Sequence, residues 1–330
     1  MDANIALLGC GYWGKNLARN LHALGALKLI CDPSEVGRSN AAKAVPGVKV
    51  ANELDAALAD DTIKAVAIAT PAETHFDLAS QAMESGRDVF VEKPMALHSS
   101  EGEQLARAAD DMGRILMVGH LLEYHPAVLR LRELVDAGEL GPVNYIYSNR
   151  LNFGRIRTEE NALWSFAPHD VAIILRLLGE MPAEVTCTGG SYITPNLADA
   201  TVSTMSFEGG QRAHVFVSWL NPFKEQKLVI MGEQKMAVFN DMDPAHKLIL
   251  YNQRVDHDGQ QPILQRNGET PVEIAGDEPL RLECEHFIEC IATRRQPLTN
   301  GNSAIRVLRV LEACQQSLQT NGQPVSLHVN

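Results

Sequence analysis

The sequence predicts an α/β chain of two domains: an N-terminal doubly wound parallel sheet, and a C-terminal α+β domain with a large, mostly antiparallel sheet. Over residues 1–120, short apolar runs alternate with amphipathic helical patterns, as in a parallel sheet that helices cover on both faces. Over residues 121–330, alternating strands instead follow one another through short turns. A chain of 330 residues, 45% of them hydrophobic, is long and apolar enough to build two cores.

Six predicted strands make the N-terminal sheet, and amphipathic segments separate them. The strands are NIALLG, LKLICD, VKV, AVAIAT, DVFVEKP and ILMVGH. Helical patterns run from Leu17 to Leu24 and from Phe76 to Ser85, where Gly86 follows, and a further helix opens with the capping pair Ser100 and Glu103. This order is that of a Rossmann domain, which we place at residues 1–120.

The pattern changes after His120 to that of an α+β domain, which we place at residues 121–330. Helices are expected over about residues 126–137 and after SFAPHD, the second ending at Gly179. The expected strands are VNYIYSNRLNF, EVTCTG, ATVSTMSF, RAHVFVSW, QKLVIMG, KMAVFN and KLILYN, with a hairpin turn at Gly209–Gly210. YNQRVDHDGQQPILQRNGETP has the composition of a surface excursion. Two C-terminal helices, near residues 280–293 and 303–318, precede a last strand, PVSL.

The charge and the cysteine content narrow the possible classes of function. A formal net charge of -12 at pH 7 argues against a general affinity for nucleic acid or anionic membranes, which reward clustered Lys and Arg. The six cysteines form no C-x-x-C pair, and no apolar run reaches the ~18 residues of a membrane span, so we expect a cytoplasmic protein with reduced thiols. Because there is no H-E-x-x-H motif and no cysteine pair, no metal is expected.

Three glycines follow the first strand in the spacing G-x-G-x-x-G. Gly9, Gly11 and Gly14 lie between a strand and a helix, where backbone N–H groups can hold a pyrophosphate. Asp32 ends the second strand, in the position from which a carboxylate binds the adenosine ribose and repels a 2′-phosphate. The pattern therefore favours NAD over NADP, although Arg38 leaves NADP open and a tight turn without a ligand is the structural alternative.

Polar residues end the fourth and fifth predicted strands at the carboxyl edge of the sheet. Thr70, Pro71 and His75 belong to ATPAETH, and Glu92 and Lys93 belong to VEKPMAL. Ligands of open parallel sheets bind at this edge. Partial burial and a nearby nicotinamide cation would lower the pKa of a lysine amine there and make it a base. An ordinary solvated lysine is the alternative.

GCGYWGKN, ATPAETH and above all EKP resemble the Gfo/Idh/MocA oxidoreductases, whose order of strands and helices matches nearly the whole chain. The resemblance implies that Lys93 lies by the nicotinamide and the reacting carbinol, and that His169 of the second domain assists the proton transfer. The family commonly has an aspartate where this chain has Ser165, so the main base remains open between Lys93 and His169. The expected NAD-binding residues are Gly9, Gly11, Tyr12, Trp13, Gly14, Asp32, Thr70, Pro71, His75, Glu92, Lys93 and Trp164.

The stretch SNRLNFGRIRTEENALWSFAPHD concentrates cations and amides next to His169. Three arginines within eight residues, in an acidic chain, indicate an anionic ligand such as a diphosphate, and Trp164 offers a flat face for a sugar. A solvated polar loop is the alternative. The expected substrate-binding residues are Lys93, Tyr124, Arg150, Asn152, Arg155, Arg157, Asn161, Trp164 and His169.

The same stretch resembles a branch of the family that acts on UDP-linked amino sugars in lipid A and surface-polysaccharide pathways. This resemblance implies NAD-dependent oxidation of the 3-hydroxyl of UDP-N-acetylglucosamine, giving a 3-keto sugar for a PLP-dependent aminotransferase. Other hypotheses are oxidation of the corresponding UDP-linked uronate, a free sugar or inositol dehydrogenase, an NAD-using glycosidase and a non-catalytic nucleotide sensor. Each would use the same dinucleotide site.

The strand pattern of the second domain predicts self-association. The alternation in ATVSTMSF and AHVFVSW leaves apolar residues on a second sheet face, which a monomer would expose to water. We therefore expect a homo-oligomer, a dimer or tetramer, formed by apposition of these sheets.

Overall fold

The chain divides into two compact units, and the computed structural model describes residues 3–259 and 261–327. Unit 1 comprises Met1–Tyr124 and Asp277–Leu308, and unit 2 comprises His125–Gly276 and Arg309–Asn330. The sequence-based boundary near residue 121 lies close to this division, but the assignment of all later residues to the second domain does not hold. Residues 277–308 return to the Rossmann unit, because their first helix carries apolar side chains that complete its core.

The strands of the two units build two separate sheets. They are β1 (Ile5–Leu8), β2 (Leu27–Cys31), β3 (Lys49–Ala51), β4 (Ala65–Ile68), β5 (Asp88–Glu92), β6 (Leu116–Gly119), β7 (Val143–Phe153), β8 (Glu184–Gly190), β9 (Ala200–Ser206), β10 (Arg212–Ser218), β11 (Leu220–Gly232), β12 (Met236–Asn240), β13 (Leu248–Asp258), β14 (Gln261–Pro271) and β15 (Val325–Ser326). All six predicted N-terminal strands are present.

The helices lie between and after these strands. They are α1 (Gly14–Ala23), α2 (Glu35–Ala44), α3 (Asp55–Leu58), α4 (His75–Glu84), α5 (Ser99–Asp111), α6 (Pro126–Asp136), α7 (Ala162–Leu178), α8 (Pro279–Thr293) and α9 (Gly301–Gln319). Short 3₁₀ turns cover Ala72–Thr74 and Leu121–Tyr124.

The sheet of unit 1 is parallel throughout, in the order β3-β2-β1-β4-β5-β6. Its strand order reverses between β1 and β4, which is where ligands bind in open sheets of this kind. Every residue of β1, β4 and β6 is buried, because helices cover both faces of the sheet. The carboxyl ends of β1, β2, β4, β5 and β6 therefore deliver the predicted polar residues to one edge.

Within the described residues, the sheet of unit 2 has nine strands in the order β14-β13-β12-β11-β7-β10-β9-β8-β15, and only β7 and β10 pair in parallel. The predicted Gly209–Gly210 turn joins β9 and β10, and Gly210 has a positive φ of 91°. The segment predicted as a surface excursion is instead the β13–β14 hairpin, although β14 is almost entirely exposed. Strand pairing organises a polar segment there that sequence composition alone assigns to a loop.

Two helix starts differ from the sequence prediction. The amide of His98 donates to the Glu101 carboxylate at 3.3 Å, so α5 begins before the predicted Ser100–Glu103 pair. Asn161 caps α7, because its Oδ1 accepts from the amide of Trp164 at 3.1 Å. SFAPHD therefore lies inside the helix rather than before it, and Pro168 is accommodated in its interior.

Candidate active site

β1 ends in the predicted glycine loop, and the space around each glycine differs. Gly9 has a positive φ of 86°, and a Cβ there would lie 2.7 Å from the carbonyl oxygen of Ala69. A Cβ on Gly14 would collide with the carbonyl oxygen of Gly9, whereas Gly11 has open space around it. The loop packs tightly at both ends and leaves room at Gly11, where a diphosphate can approach the backbone N–H groups at the start of α1.

Asp32 lies at the end of β2 and is joined to the glycine loop. Its Oδ2 accepts from the backbone amide of Cys10 at 2.7 Å, and its Oδ1 accepts from the amide and hydroxyl of Ser34 at 2.8 and 2.7 Å. Arg38 donates to the backbone carbonyls of Asp32 and Pro33 at 3.0 and 2.7 Å. The carboxylate is thus held at the loop that would carry the diphosphate, as recognition of an adenosine ribose requires.

His75 connects the two polar segments predicted from ATPAETH and EKP. Its ring is 1% exposed, with Nδ1 2.7 Å from the carbonyl oxygen of Pro94 and Nε2 2.9 Å from that of Thr70. Burial lowers the pKa of His75. His75 therefore holds the ends of β4 and β5 together. The peptide bond between Lys93 and Pro94, at the end of β5, is cis.

The Glu92 carboxylate lies between the glycine loop and Lys93. The indole N–H of Trp13 donates to Oε1 of Glu92, and the backbone amide of Lys93 donates to Oε2 at 3.3 Å. The carboxylate packs against Gly119, where a Cβ would lie 2.8 Å from Oε2. Burial raises the pKa of Glu92 to about 7. Lys93 itself is half-buried.

His120 is a site residue that the sequence analysis missed. It follows β6, the neighbour of β5, and is 3% exposed. Burial, followed by the charge of Lys93, lowers the pKa of His120 to about 4, so the imidazole is neutral at physiological pH. The signal was available, because the residue after β6 reaches the same sheet edge as Lys93 after β5.

Tyr124, a predicted substrate residue, belongs to the core of unit 1. It is 3% exposed, its hydroxyl lies 3.2 Å from Oγ1 of Thr299, and its ring centroid lies 5.5 Å from that of His286. Burial raises its pKa well above the usual value. These contacts explain its presence without a ligand, and its substrate role remains a prediction.

In unit 2, Asn161 caps α7, and the helix carries two of the other predicted residues, Trp164 and His169. The Asn161 side-chain amide and the Trp164 indole both donate to Oε1 of Gln315, at 2.8 and 3.2 Å. His169 is half-buried and lies in the middle of α7, four residues after the buried Ser165. Asn161 and Trp164 therefore fix the start of the helix that presents His169.

Arg150, Arg155 and Arg157 have carboxylate partners within unit 2. Arg150 is 9% exposed and donates twice to Asp170, at 2.7 and 3.1 Å. Arg157 lies 3.1 Å from Glu160, and Arg155 lies 3.9 Å from Glu159. These carboxylates thus largely neutralise the predicted anion-binding stretch. Sequence reasoning counted the cations of the stretch but did not locate their partners.

The remaining stretch keeps two guanidinium groups within reach of solvent. The side chains of Arg155 and Arg157 are 71% and 37% exposed, in the irregular segment between β7 and α7. Asn152 at the end of β7 lies against Gly154, where a Cβ would be 2.5 Å from its Nδ2. Arg155, Arg157 and Asn152 can meet a ligand, whereas Arg150 also stabilises the interior.

These features define a dinucleotide-dependent oxidoreductase, and the chain belongs to the Gfo/Idh/MocA oxidoreductase family. Residues 3–120 match the family's oxidoreductase model with an NAD-binding Rossmann fold, and residues 128–238 match the Gfo/Idh/MocA C-terminal domain. The cofactor is NAD. The open space at Gly11 and the carboxylate of Asp32 fit it, and bound NAD⁺ accepts a hydride at its nicotinamide.

Particular relatives match over most of the chain. UDP-N-acetylglucosamine 3-dehydrogenase from Acidithiobacillus ferrooxidans is 27% identical over 92% of this chain and 93% of that protein. Its solved structure, GnnA, has a TM-score of 0.84 at 25% identity and covers 96% of this chain and 97% of its own. The scyllo-inositol 2-dehydrogenase (NAD(+)) from Bacillus subtilis is 27% identical over 98% of this chain and 96% of that protein.

Within residues 3–259 and 261–327, His, Cys, Asp and Glu side chains form no group of three that could hold a metal ion. No helix in the same residues is both long and apolar enough to cross a membrane.

Proposed function

We propose that this protein is an NAD-dependent dehydrogenase that oxidises the 3-hydroxyl of UDP-N-acetylglucosamine to the 3-keto sugar. The observation that carries the substrate assignment is the similarity to UDP-N-acetylglucosamine 3-dehydrogenase, which extends through both units. The product would supply a PLP-dependent aminotransferase in lipid A or surface-polysaccharide synthesis. We place this step in the cytoplasm, in keeping with six free, buried cysteines.

The residues of unit 1 support the dehydrogenase chemistry. As hydride leaves the carbinol carbon, the hydroxyl proton must pass to a base, and a correctly placed base accelerates such a step about 100- to 10,000-fold. Lys93, flanked by Glu92 and the neutral His120, is one candidate. His169 on α7 is the second, as the family resemblance implies.

Arg155, Arg157 and Asn152 are the residues of unit 2 that we assign to the diphosphate. Their guanidinium and amide groups suit the phosphate oxygens of the UDP-sugar. On binding, each arginine would leave its glutamate partner and bind the ligand instead. Trp164 and His169 lie on α7 next to this segment, and Asn161 is the N-cap of that helix. Arg150 contributes by holding Asp170.

The test is NADH formation from UDP-N-acetylglucosamine, coupled to an aminotransferase that removes the ketone and followed by mass spectrometry of the sugar. UDP-linked N-acetylglucosaminuronate, NADP⁺ and Lys93→Ala are run in parallel. We expect turnover with NAD⁺ and the neutral sugar, and loss of at least 100-fold in Lys93→Ala. Absence of turnover under coupling contradicts the proposal.

A second candidate is oxidation of a free inositol. It is favoured by the similarity to scyllo-inositol 2-dehydrogenase and by the pairing of the three arginines with carboxylates. Efficient oxidation of scyllo-inositol without competition from UDP would select this function.

We also propose that the protein is a homo-oligomer that associates through the second face of the nine-stranded sheet. Tyr147 and His214 stack there with ring centroids 5.4 Å apart, and Tyr145 hydrogen-bonds to His214. Val202 of β9, the strand next to β10, is 41% exposed. Sedimentation equilibrium of the protein checks this: a monomer at micromolar concentration contradicts it.

A further inference from the structure

His120 carries a buried ring nitrogen at the carboxyl edge of the parallel sheet. The residue is 3% exposed, and its Nδ1 has no hydrogen-bond partner among the described residues. Both backbone groups are paired, since the amide donates to the carbonyl of Val118 at 2.7 Å and the carbonyl accepts from the amide of Glu123 at 2.9 Å. The backbone therefore holds His120 at the start of the 3₁₀ turn, and the unmet hydrogen bond belongs to the imidazole.

Folding alone does not account for an imidazole at this position. A buried polar atom without a hydrogen bond lowers stability, and the great majority of buried polar atoms in proteins are paired. A phenyl ring of nearly the same shape would fill the space around His120 without that cost. The presence of histidine therefore indicates a ligand that binds Nδ1.

The pairing of β5 with β6 aligns His120 with Lys93. The two strands are parallel, with Glu92 opposite Gly119, so the residues that follow leave the sheet side by side, with backbones about 4.8 Å apart. The strand ends pack closely, because a Cβ on Gly119 would lie 2.8 Å from Oε2 of Glu92. Nδ1 of His120 is thus part of the sheet edge that carries the candidate base.

The direction of NAD along this edge follows from the glycine loop and Asp32. A diphosphate at the loop after β1, with the adenosine ribose at Asp32 after β2, places the adenine half on the β2 side of the sheet. In the strand order β3-β2-β1-β4-β5-β6, the nicotinamide half then extends towards β5 and β6. The Trp13 indole of the loop donates to Glu92, so the loop reaches the end of β5. The nicotinamide end is therefore directed to Lys93 and His120.

We propose that Nδ1 of His120 accepts a hydrogen bond from the carboxamide N–H of the nicotinamide and so fixes the orientation of that ring. With its proton on Nε2, a neutral imidazole offers the Nδ1 lone pair to such a donor. Burial, followed by the charge of Lys93, lowers the pKa of His120 to about 4, so the lone pair is present at neutral pH. A ring held by its carboxamide presents one face to the substrate. This inference rests on NAD as the cofactor and does not depend on the sugar.

The test is calorimetric titration of the whole protein with three ligands: NAD⁺, ADP-ribose, which lacks the nicotinamide, and the 3-acetylpyridine analogue of NAD⁺, which has a methyl group in place of the amide nitrogen. Because one hydrogen bond is lost, His120→Phe should bind NAD⁺ about tenfold more weakly than the wild type. Its affinities for ADP-ribose and the analogue should stay within about twofold. A similar loss for either of these ligands, or an unchanged affinity for NAD⁺, overturns the proposal.

A conservative variant tests whether the hydrogen bond itself is responsible. The side-chain oxygen of His120→Asn can accept from the same donor, so this variant should bind NAD⁺ within about threefold of the wild type. His22→Phe, at an exposed position of α1 in the same unit, is the matched control and should leave all three affinities unchanged. An Asn variant that binds NAD⁺ as weakly as the Phe variant contradicts the assignment.

The stability of the cofactor-free protein separates this role from a structural one. His120→Phe replaces a nitrogen that is unpaired within residues 3–259 and 261–327 by apolar atoms, so its unfolding equilibrium constant in urea should be equal to or lower than that of the wild type. Saturating NAD⁺ should stabilise the wild type more than the variant, because the wild type binds it more tightly. A variant that unfolds more readily than the wild type without cofactor would show a structural role and overturn the proposal.

None of these titrations contains a sugar, so their outcomes are separate from those of the substrate assays. If His120→Phe selectively loses affinity for NAD⁺ and UDP-N-acetylglucosamine is not oxidised, the carboxamide contact stands and the substrate assignment fails. If the sugar is oxidised and His120→Phe binds NAD⁺ as the wild type does, the contact fails and the function stands.

Discussion

The indole N–H of Trp13 donates to the carboxylate of Glu92 and so joins the glycine loop to the strand end that carries Lys93. The two residues are 79 positions apart in the sequence. The segment that would hold the diphosphate and the segment that bears the candidate base are therefore mechanically coupled.

Replacing Trp13 by Phe should weaken NAD⁺ binding at least tenfold. The variant loses a hydrogen bond to a carboxylate, worth about 1.5–3 kcal/mol, and removes a contact that lowers the pKa of Glu92. Calorimetric titration with NAD⁺ measures the change. Tyr192→Phe, which alters an exposed aromatic residue of unit 2, is the control, and an unchanged dissociation constant in Trp13→Phe contradicts the prediction.

Two glycines of the same loop should respond differently to substitution by alanine: one substitution should lower stability and the other should weaken NAD⁺ binding. Gly14→Ala places a Cβ against the carbonyl of Gly9 and should lower the free energy of unfolding by about 1–3 kcal/mol. Gly11→Ala enters open space and should leave stability within about 0.5 kcal/mol while weakening NAD⁺ binding. Urea unfolding and calorimetry on both variants check this pair. Similar losses of stability in the two would show that Gly11 is not open to a ligand.

Asp32→Asn should reduce the preference for NAD over NADP. The substitution removes the repulsion between the carboxylate and a 2′-phosphate, which amounts to up to about 4 kcal/mol at contact for an effective dielectric of about 20. The asparagine keeps a side-chain oxygen that can accept from the Cys10 amide. We expect the ratio of kcat/KM for NAD⁺ to that for NADP⁺ to fall about 100-fold. Asp77→Ala, at an exposed position of α4, controls for the change in net charge. An unaltered ratio would show that the carboxylate does not face the ribose.

Arg150→Met should lower the stability of the protein, whereas Arg155→Met should weaken binding of the UDP-sugar. Arg150→Met leaves Asp170 buried without its partner and should cost about 3–5 kcal/mol of unfolding free energy. Arg155→Met, at an exposed position, should change stability by no more than about 0.5 kcal/mol but raise KM for the UDP-sugar. A stable Arg150→Met with only a raised KM would assign Arg150 to the substrate instead.

How much of this protein follows from local sequence depends on the range of the interactions. The six strands of unit 1, the glycine loop and Asp32 follow from the sequence, because apolar runs, turn glycines and strand-end acids act over a few residues. The starts of α5 and α7 were misplaced, because side-chain caps from Glu101 and Asn161 decide them. The family and the cofactor follow from these local signals.

Only the tertiary structure decided which side chains meet. It returned α8 to unit 1, paired Arg150 with Asp170, and buried Tyr124 and His120. The physical reason is that burial and partner charges set the ionisation and availability of a side chain, and both depend on segments distant in the sequence.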